Sequence, residues 1–222
     1  METNSQIIFK IYNNIHVFFK YRNLISIDEP VTQSDLNTQI QTRKYFIIRA
    51  IQNDESEEVI KKNRKIVNNY SNKSKDLTVK VTYMVILYPQ SEFASKRADL
   101  LKLLNVITYP IRDILLINSV KVHAHIVKYI NTLNKNPKQT IYPYTYNLFK
   151  TIVPEYCIVP KYTFLKKDEI EELMKFVDPT KVSLIFETDP QVIWLGGKAG
   201  QVLKYEALSE TTLSTIRYRL IV

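Results

Sequence analysis

The chain has 222 residues, 45% of them hydrophobic, and 31 Lys and Arg against 22 Asp and Glu give it a formal net charge of +9. That length holds one large domain or two small ones with a real core, and the single cysteine, Cys157, excludes an intrachain disulfide. No apolar run approaches the ~20 residues needed to span a bilayer, and the polar start Met1-Glu2-Thr3-Asn4-Ser5-Gln6 lacks a signal-peptide pattern, so a soluble, intracellular protein is expected.

From Ile7 to Ile25, Ile8, Ile11, Tyr12, Ile15, Phe18 and Phe19 recur at helical spacing, which predicts a helix with a broad apolar stripe. Asp28-Glu29-Pro30 ends it, and Ser34 to Ile40 reads as a shorter second helix. The aromatic and β-branched run Lys44 to Ile51 reads as a strand. In the polar stretch Asn53 to Asp76, acidic residues precede basic ones, the order a helix dipole prefers, so Glu55 to Tyr70 is expected as an exposed helix. Thr78 to Tyr88 reads as a strand entering a covered sheet, stopped by Pro89.

Alternating periods follow. Ser91 to Ile107 is expected as a helix with Leu100, Leu101, Leu103 and Leu104 on its apolar face. Asp113 to Asn118 is expected as a buried strand, Val122 to Leu133 as a helix and Tyr142 to Ile152 as extended. Strand, helix, strand, helix, strand predicts an α/β sheet covered by helices. A domain boundary is expected near Asn147, giving domains 1–146 and 147–222. The second reads as a small α+β domain: a strand at Tyr156–Val159, a helix at Lys166–Val177, a short capped turn and a closing β-hairpin. Its core is expected around Ile158, Ile170, Leu173, Trp194, Val202, Tyr218 and Leu220.

The excess charge is confined to one part. Residues 1–146 carry 21 basic and 12 acidic side chains, whereas residues 147–222 carry 10 of each. A basic domain joined to a neutral one suggests a polyanion-facing part and a protein-docking part.

All three glycines, Gly196, Gly197 and Gly200, lie in Asp189-Pro190-Gln191-Val192-Ile193-Trp194-Leu195-Gly196-Gly197-Lys198-Ala199-Gly200. Asp189 suits a helix N-cap, Pro190 the first helical position and Gly196 the left-handed residue that ends a helix. The Gly196-Gly197-Lys198-Ala199-Gly200 run lacks the spacing of a phosphate-binding loop and precedes a strand pattern, which favours a tight turn.

Catalytic chemistry is not suggested. His123 and His125, two apart, would point to different faces of a helix, and with His16 and Cys157 they make a poor zinc set. Cys157 lies in an apolar, strand-like context that favours a buried thiol. No small-molecule substrate, cofactor or metal is implied.

One ordered series is more specific: Val159-Pro160-Lys161, Lys166 to Leu173, Asp189-Pro190, Leu195-Gly196, Gly200-Gln201-Val202, Ser209-Glu210-Thr211 and Tyr218-Arg219-Leu220. In order and spacing it resembles the C-terminal domain of the fifth RNA polymerase subunit, which the eukaryotic nuclear enzymes share and which has an archaeal counterpart. The resemblance covers about the last third of the chain. Tyr162 departs from it, standing where the family usually has histidine. Trp194 and the double glycine look more like versions from large cytoplasmic DNA viruses.

The resemblance implies a non-catalytic subunit of a multisubunit DNA-directed RNA polymerase. Its C-terminal domain would anchor to the largest subunit through Pro160, Asp189, Pro190, Gly196, Gly200, Ser209, Glu210, Thr211, Tyr218 and Arg219. Its N-terminal domain would have a nuclease-like, three-layer shape and form part of the jaw around downstream double-stranded DNA. Location in the virion and host cytoplasm would follow for a viral protein, and in the nucleus for a cellular one. Nuclease chemistry of that shape uses an acidic residue two before a lysine, a pair absent here; at the relevant strand stand Val79, Lys80 and Val81. The expected DNA-facing residues are Asn118, Ser119 and Lys121, in the loop after the Asp113 strand, which leads to a helix N-terminus. The alternative is a free-standing DNA-binding protein of nuclease-like fold lacking catalytic residues.

Overall fold

The computed structural model describes residues 3–53, 83–88, 97–105, 111–135, 139–178, 181–209 and 213–222. The expected Glu55–Tyr70 helix and the turn residues Glu210 and Thr211 lie outside them, as do the first five residues of the expected Thr78 strand and both ends of the Ser91–Ile107 helix. The chain divides into two compact units, Met1–Lys150 and Thr151–Val222.

In the first unit, α1 (Asn4–Tyr21) starts in a capping box. The Thr3 hydroxyl accepts from Gln6 N–H at 3.3 Å, and Thr3 N–H donates to Gln6 Oε1 at 2.8 Å. Its buried side chains are Ile8, Ile11, Tyr12, Ile15, Phe18 and Phe19, the stripe read from the sequence. The helix stops earlier than the expected Ile25, because Asn23 takes a left-handed turn at φ 53°, a conformation asparagine tolerates. Leu24–Ser26 therefore forms β1, antiparallel to β2 (Phe46–Gln52). Between them α2 (Gln33–Arg43) is capped by Thr32, whose hydroxyl accepts from Asp35 N–H at 3.3 Å, and is terminated by Lys44 at φ 66°.

The sheet runs β1-β2-β3-β4-β5, with β3 (Tyr83–Tyr88), β4 (Asp113–Asn118) and β5 (Thr140–Thr145) mutually parallel and β2 antiparallel to β3. Helices α3 (Arg97–Asn105) and α4 (Ala124–Leu133) lie in the crossovers of the parallel strands. All six residues of β4 are buried, as expected of a central parallel strand covered on both faces. Ile114 and Leu116 share a core with Met84, Ile86, Leu100 and Ile126. Each fully buried aliphatic side chain contributes roughly 1.5–3 kcal/mol. Leu101 is 37% exposed, so α3 turns fewer leucines inward than its sequence suggests. Pro143 lies in β5, a sheet-edge strand where a missing N–H is tolerated.

The expected extended run to Ile152 breaks after Thr145 into 3-10 turns at Tyr146–Leu148 and Val153–Glu155. Phe149 is fully buried, its ring edge-on to Phe18 at 5.3 Å, and its carbonyl accepts from Asn14 Nδ2 at 2.8 Å. These contacts hold residues 147–150 in the first unit, moving the boundary beyond 146.

The second unit is a sheet ordered β6-β8-β9-β7 with two helices. Its elements are β6 (Tyr162–Phe164), α5 (Lys167–Leu173), β7 (Ser183–Ile185), α6 (Pro190–Leu195), β8 (Val202–Ser209) and β9 (Leu213–Ile221). β8 pairs antiparallel with β9 from Val202↔Leu220 to Ser209↔Leu213, and β7 runs parallel to β9. The expected strand Tyr156–Val159 is instead a turn, with Val159 N–H donating to the Tyr156 carbonyl at 2.9 Å. Pro154 and Pro160, which lack an N–H, bracket it. Ile158 is 79% exposed, so it leaves the expected core, while Trp194 and Val202 are buried. α5 ends at Leu173 rather than Val177.

Candidate functional site

The glycine segment folds as its residue types dictate. Asp189 Oδ1 accepts from Gln191 N–H at 2.8 Å, Pro190 opens α6, and Gly196 closes it at φ 78°. Gly197 is required for a different reason. A Cβ there would lie 2.6 Å from Ile221 Cδ1 and 2.7 Å from Val192 Cγ1, so only hydrogen lets the loop pack on the sheet. Sequence reasoning did not single out Gly197; the double glycine was the available signal. Gly200 takes φ 87° in open space and hydrogen-bonds through its N–H to the Ile221 carbonyl at 2.9 Å.

The loop's N–H groups are already engaged. Gly197 N–H donates to the Val192 carbonyl at 2.9 Å, Lys198 N–H to Gln201 Oε1 at 2.7 Å and Ala199 N–H to the Glu187 carboxylate. With these donors taken up within the protein, the segment is a connector that stitches α6 to the end of β9.

On the same side of the sheet, Ile185, Val192, Leu203 and Ile221 form the core, with Tyr162 packed against it. Tyr162 and Tyr205 lie 4.9 Å apart, and the Arg219 guanidinium sits over both rings, 5.3 Å from the Tyr205 centroid and 6.0 Å from that of Tyr162. Burial raises the Tyr162 hydroxyl above its ordinary pKa against the opposing pull of Arg219. Arg219 Nε is buried with no hydrogen-bond partner among the described residues. Tyr218 is half-buried and, by strand alternation, faces the opposite side from Arg219. Pro160 is half-buried after the Tyr156 turn, and Ser209 stands at the end of β8, opposite Leu213. The expected assembly residues are therefore not one patch: Asp189, Pro190, Gly196 and Gly200 shape the loop, and Arg219 packs on tyrosines.

In the first unit, the loop after β4 is held by Ser119 N–H donating to the Tyr88 carbonyl at 3.3 Å, and by Val122, which is buried. Lys121 is exposed and Ser119 half-buried. Asn118 is a correction: its side chain is fully buried, with Nδ2 donating to the Leu116 carbonyl at 3.4 Å, so it cannot face DNA. His123 precedes α4 as its N-cap residue rather than lying within the helix, and its ring is 5.8 Å from that of His125. The separation onto different faces is thereby overturned, although two imidazoles supply half of a zinc ligand set. Cys157 is exposed in the Tyr156 turn rather than buried.

The second unit is a small sheet of nearly balanced charge, stiffened by a glycine loop, with apolar side chains left facing outward. The family model for the RNA polymerase Rpb5 C-terminal domain matches residues 152–221. The DNA-directed RNA polymerase RPB5 homolog of African swine fever virus (isolate Tick/Malawi/Lil 20-1/1983) is 32% identical over 88 residues, 39% of this chain and 43% of that protein. The DNA-directed RNA polymerase subunit Rpo5 of Nitrosopumilus maritimus is 37% identical over 73 residues, 32% of this chain and 88% of that protein. Rpo5 of Methanocaldococcus jannaschii is 32% identical over 72 residues and is covered over 92% of its length. The chain belongs to the RNA polymerase Rpb5 family. It spans less than half the length of the viral relatives it matches and nearly all of the archaeal ones.

Proposed function

We propose that the chain is a non-catalytic subunit of a multisubunit DNA-directed RNA polymerase, of a kind carried by large DNA viruses. The observation that carries this reading is the family match over residues 152–221, which coincides with the compact unit Thr151–Val222. The neutral unit anchors the chain to the largest subunit. The basic unit, nuclease-like in shape, joins the jaw around downstream duplex DNA, where Lys121 and Ser119 meet phosphates without reading sequence. Nucleotide addition needs carboxylate-held magnesium, which belongs to other subunits in this reading. The protein then resides with the polymerase, in the virion and host cytoplasm if viral and in the nucleus if cellular. Among the described residues no helix is long and apolar enough to cross a membrane.

The test is purification of the tagged chain from its natural source. Recovery of the large catalytic subunits in stoichiometric amounts is the expected result. A lone monomer that shifts DNA would overturn it in favour of a free-standing DNA-binding protein.

A further inference from the structure

Of the ten large apolar side chains that stand exposed among the described residues, eight belong to the smaller unit, residues 151–222. Four of them share one face. The pairs Leu184↔Leu220, Val202↔Leu220 and Glu206↔Ile216 set the side of the sheet opposite Leu203, Arg219 and Ile221, and alternation carries Phe186 and Val222 to that side as well. Leu184 is 60%, Phe186 69%, Ile216 53% and Val222 42% exposed.

Among the described residues this face ends at the edge strand β7. The Ile185 carbonyl accepts from Val222 N–H at 2.9 Å, and Glu187 N–H donates to the Val222 carbonyl at 3.0 Å. Residues 185 and 187 thus turn their main chain toward β9. By alternation, Leu184 turns its N–H and C=O the other way, to the side of β7 where the sheet order ends. An edge that offers main-chain groups beside exposed apolar side chains is a template for a further strand.

We propose that β7 is the docking edge of the chain. It receives an extended segment of another polymerase subunit, apolar at alternate residues, whose main chain pairs with Leu184 and whose side chains cover Leu184, Phe186 and Ile216. Charge selects this occupant over nucleic acid, because residues 151–222 carry 9 basic and 10 acidic side chains and offer no net attraction to a polyanion. The inference rests on the polymerase-subunit reading and names the surface that serves it.

The experiment expresses tagged full-length chains alongside the polymerase. One carries Leu184→Glu with Ile216→Glu; another carries Leu184→Pro, which removes the outward N–H together with the leucine side chain but adds no charge. Emission from the buried Trp194 checks the fold. At least tenfold less largest subunit should co-purify with each variant. In a third, otherwise wild-type chain, a photo-crosslinking residue at Phe186 should capture a polymerase subunit. Equal recovery from variants and wild type, or no subunit captured at 186, overturns the docking edge while the wild-type recovery keeps the polymerase reading. Self-association of the isolated chain that Leu184→Glu abolishes would assign the edge to a second copy and also overturn the proposal. A wild-type chain that recovers no polymerase subunit removes both readings.

Discussion

Gly197→Ala isolates a single steric demand. The added Cβ meets Ile221 Cδ1 at 2.6 Å and Val192 Cγ1 at 2.7 Å, against the ~3.5–4.0 Å at which carbon atoms attract. Both neighbours are buried, so each must leave its rotamer or push the sheet. Overpacking of this kind costs ~1–3 kcal/mol, and two simultaneous overlaps place it at ~2 kcal/mol, about a 30-fold loss in folding equilibrium. Gly200→Ala is the contrast: its Cβ would enter open space at φ 87°, so only left-handed backbone strain of ~1 kcal/mol remains. Trp194 is the chain's one tryptophan and is fully buried in the second unit, so denaturant unfolding followed by its fluorescence reports that unit. Ile221→Val removes the Cδ1 atom. Alone it costs ~0.5–1.5 kcal/mol; combined with Gly197→Ala, it should leave the double variant ~1 kcal/mol more stable than the sum of the singles. A neutral Gly197→Ala, or strict additivity in the double variant, would refute the packing argument.

Acidification should weaken the first unit through His16. Its ring stands edge-on to Tyr12 at 4.7 Å, and burial, followed by Lys20, holds its pKa below the ordinary 6.5. The unfolded chain therefore binds a proton that the folded chain refuses, so stability falls as pH drops through 6.5, by up to ~1.4 kcal/mol per unit. Hydrogen exchange of α1 amides should show this slope, and His16→Phe should flatten it. Lys121→Glu should shorten elongation-complex lifetime equally on all sequences and lower the salt slope by about one if one phosphate contact is lost; an unchanged lifetime would take the loop out of the DNA path. Residues 151–222 alone should give a cooperative Trp194 unfolding transition, whereas a non-cooperative trace would show that the second unit depends on the first.

What was legible had local causes. The apolar β4, the α1 stripe and the Asp189-Pro190 to Gly196 cap each state their conformation in residue type, and the structure follows them. β1, β6 and β7 were missed because three residues carry no period, and Leu24 and Ile25 extend the apolar run of α1 without a visible break. Ile158 and Tyr156 read as strand and core because apolar residues look alike in sequence whether the fold buries them or leaves them exposed. Asn118 was legible as the last residue of the buried β4 strand, and that same burial removes it from the DNA-facing set to which its place before the loop had assigned it. Gly197 could be seen as glycine, but its need depends on Ile221 and Val192, brought to it only by the folded sheet.

Crosslinking mass spectrometry of the purified polymerase on a DNA scaffold tests the central claim most directly. Lysines of the second unit, such as the exposed Lys161, Lys175 and Lys181, should link to the largest subunit. Lys121 should link to downstream duplex DNA. Links from the first unit alone to the largest subunit, or absence of the chain from the active enzyme, would contradict the account.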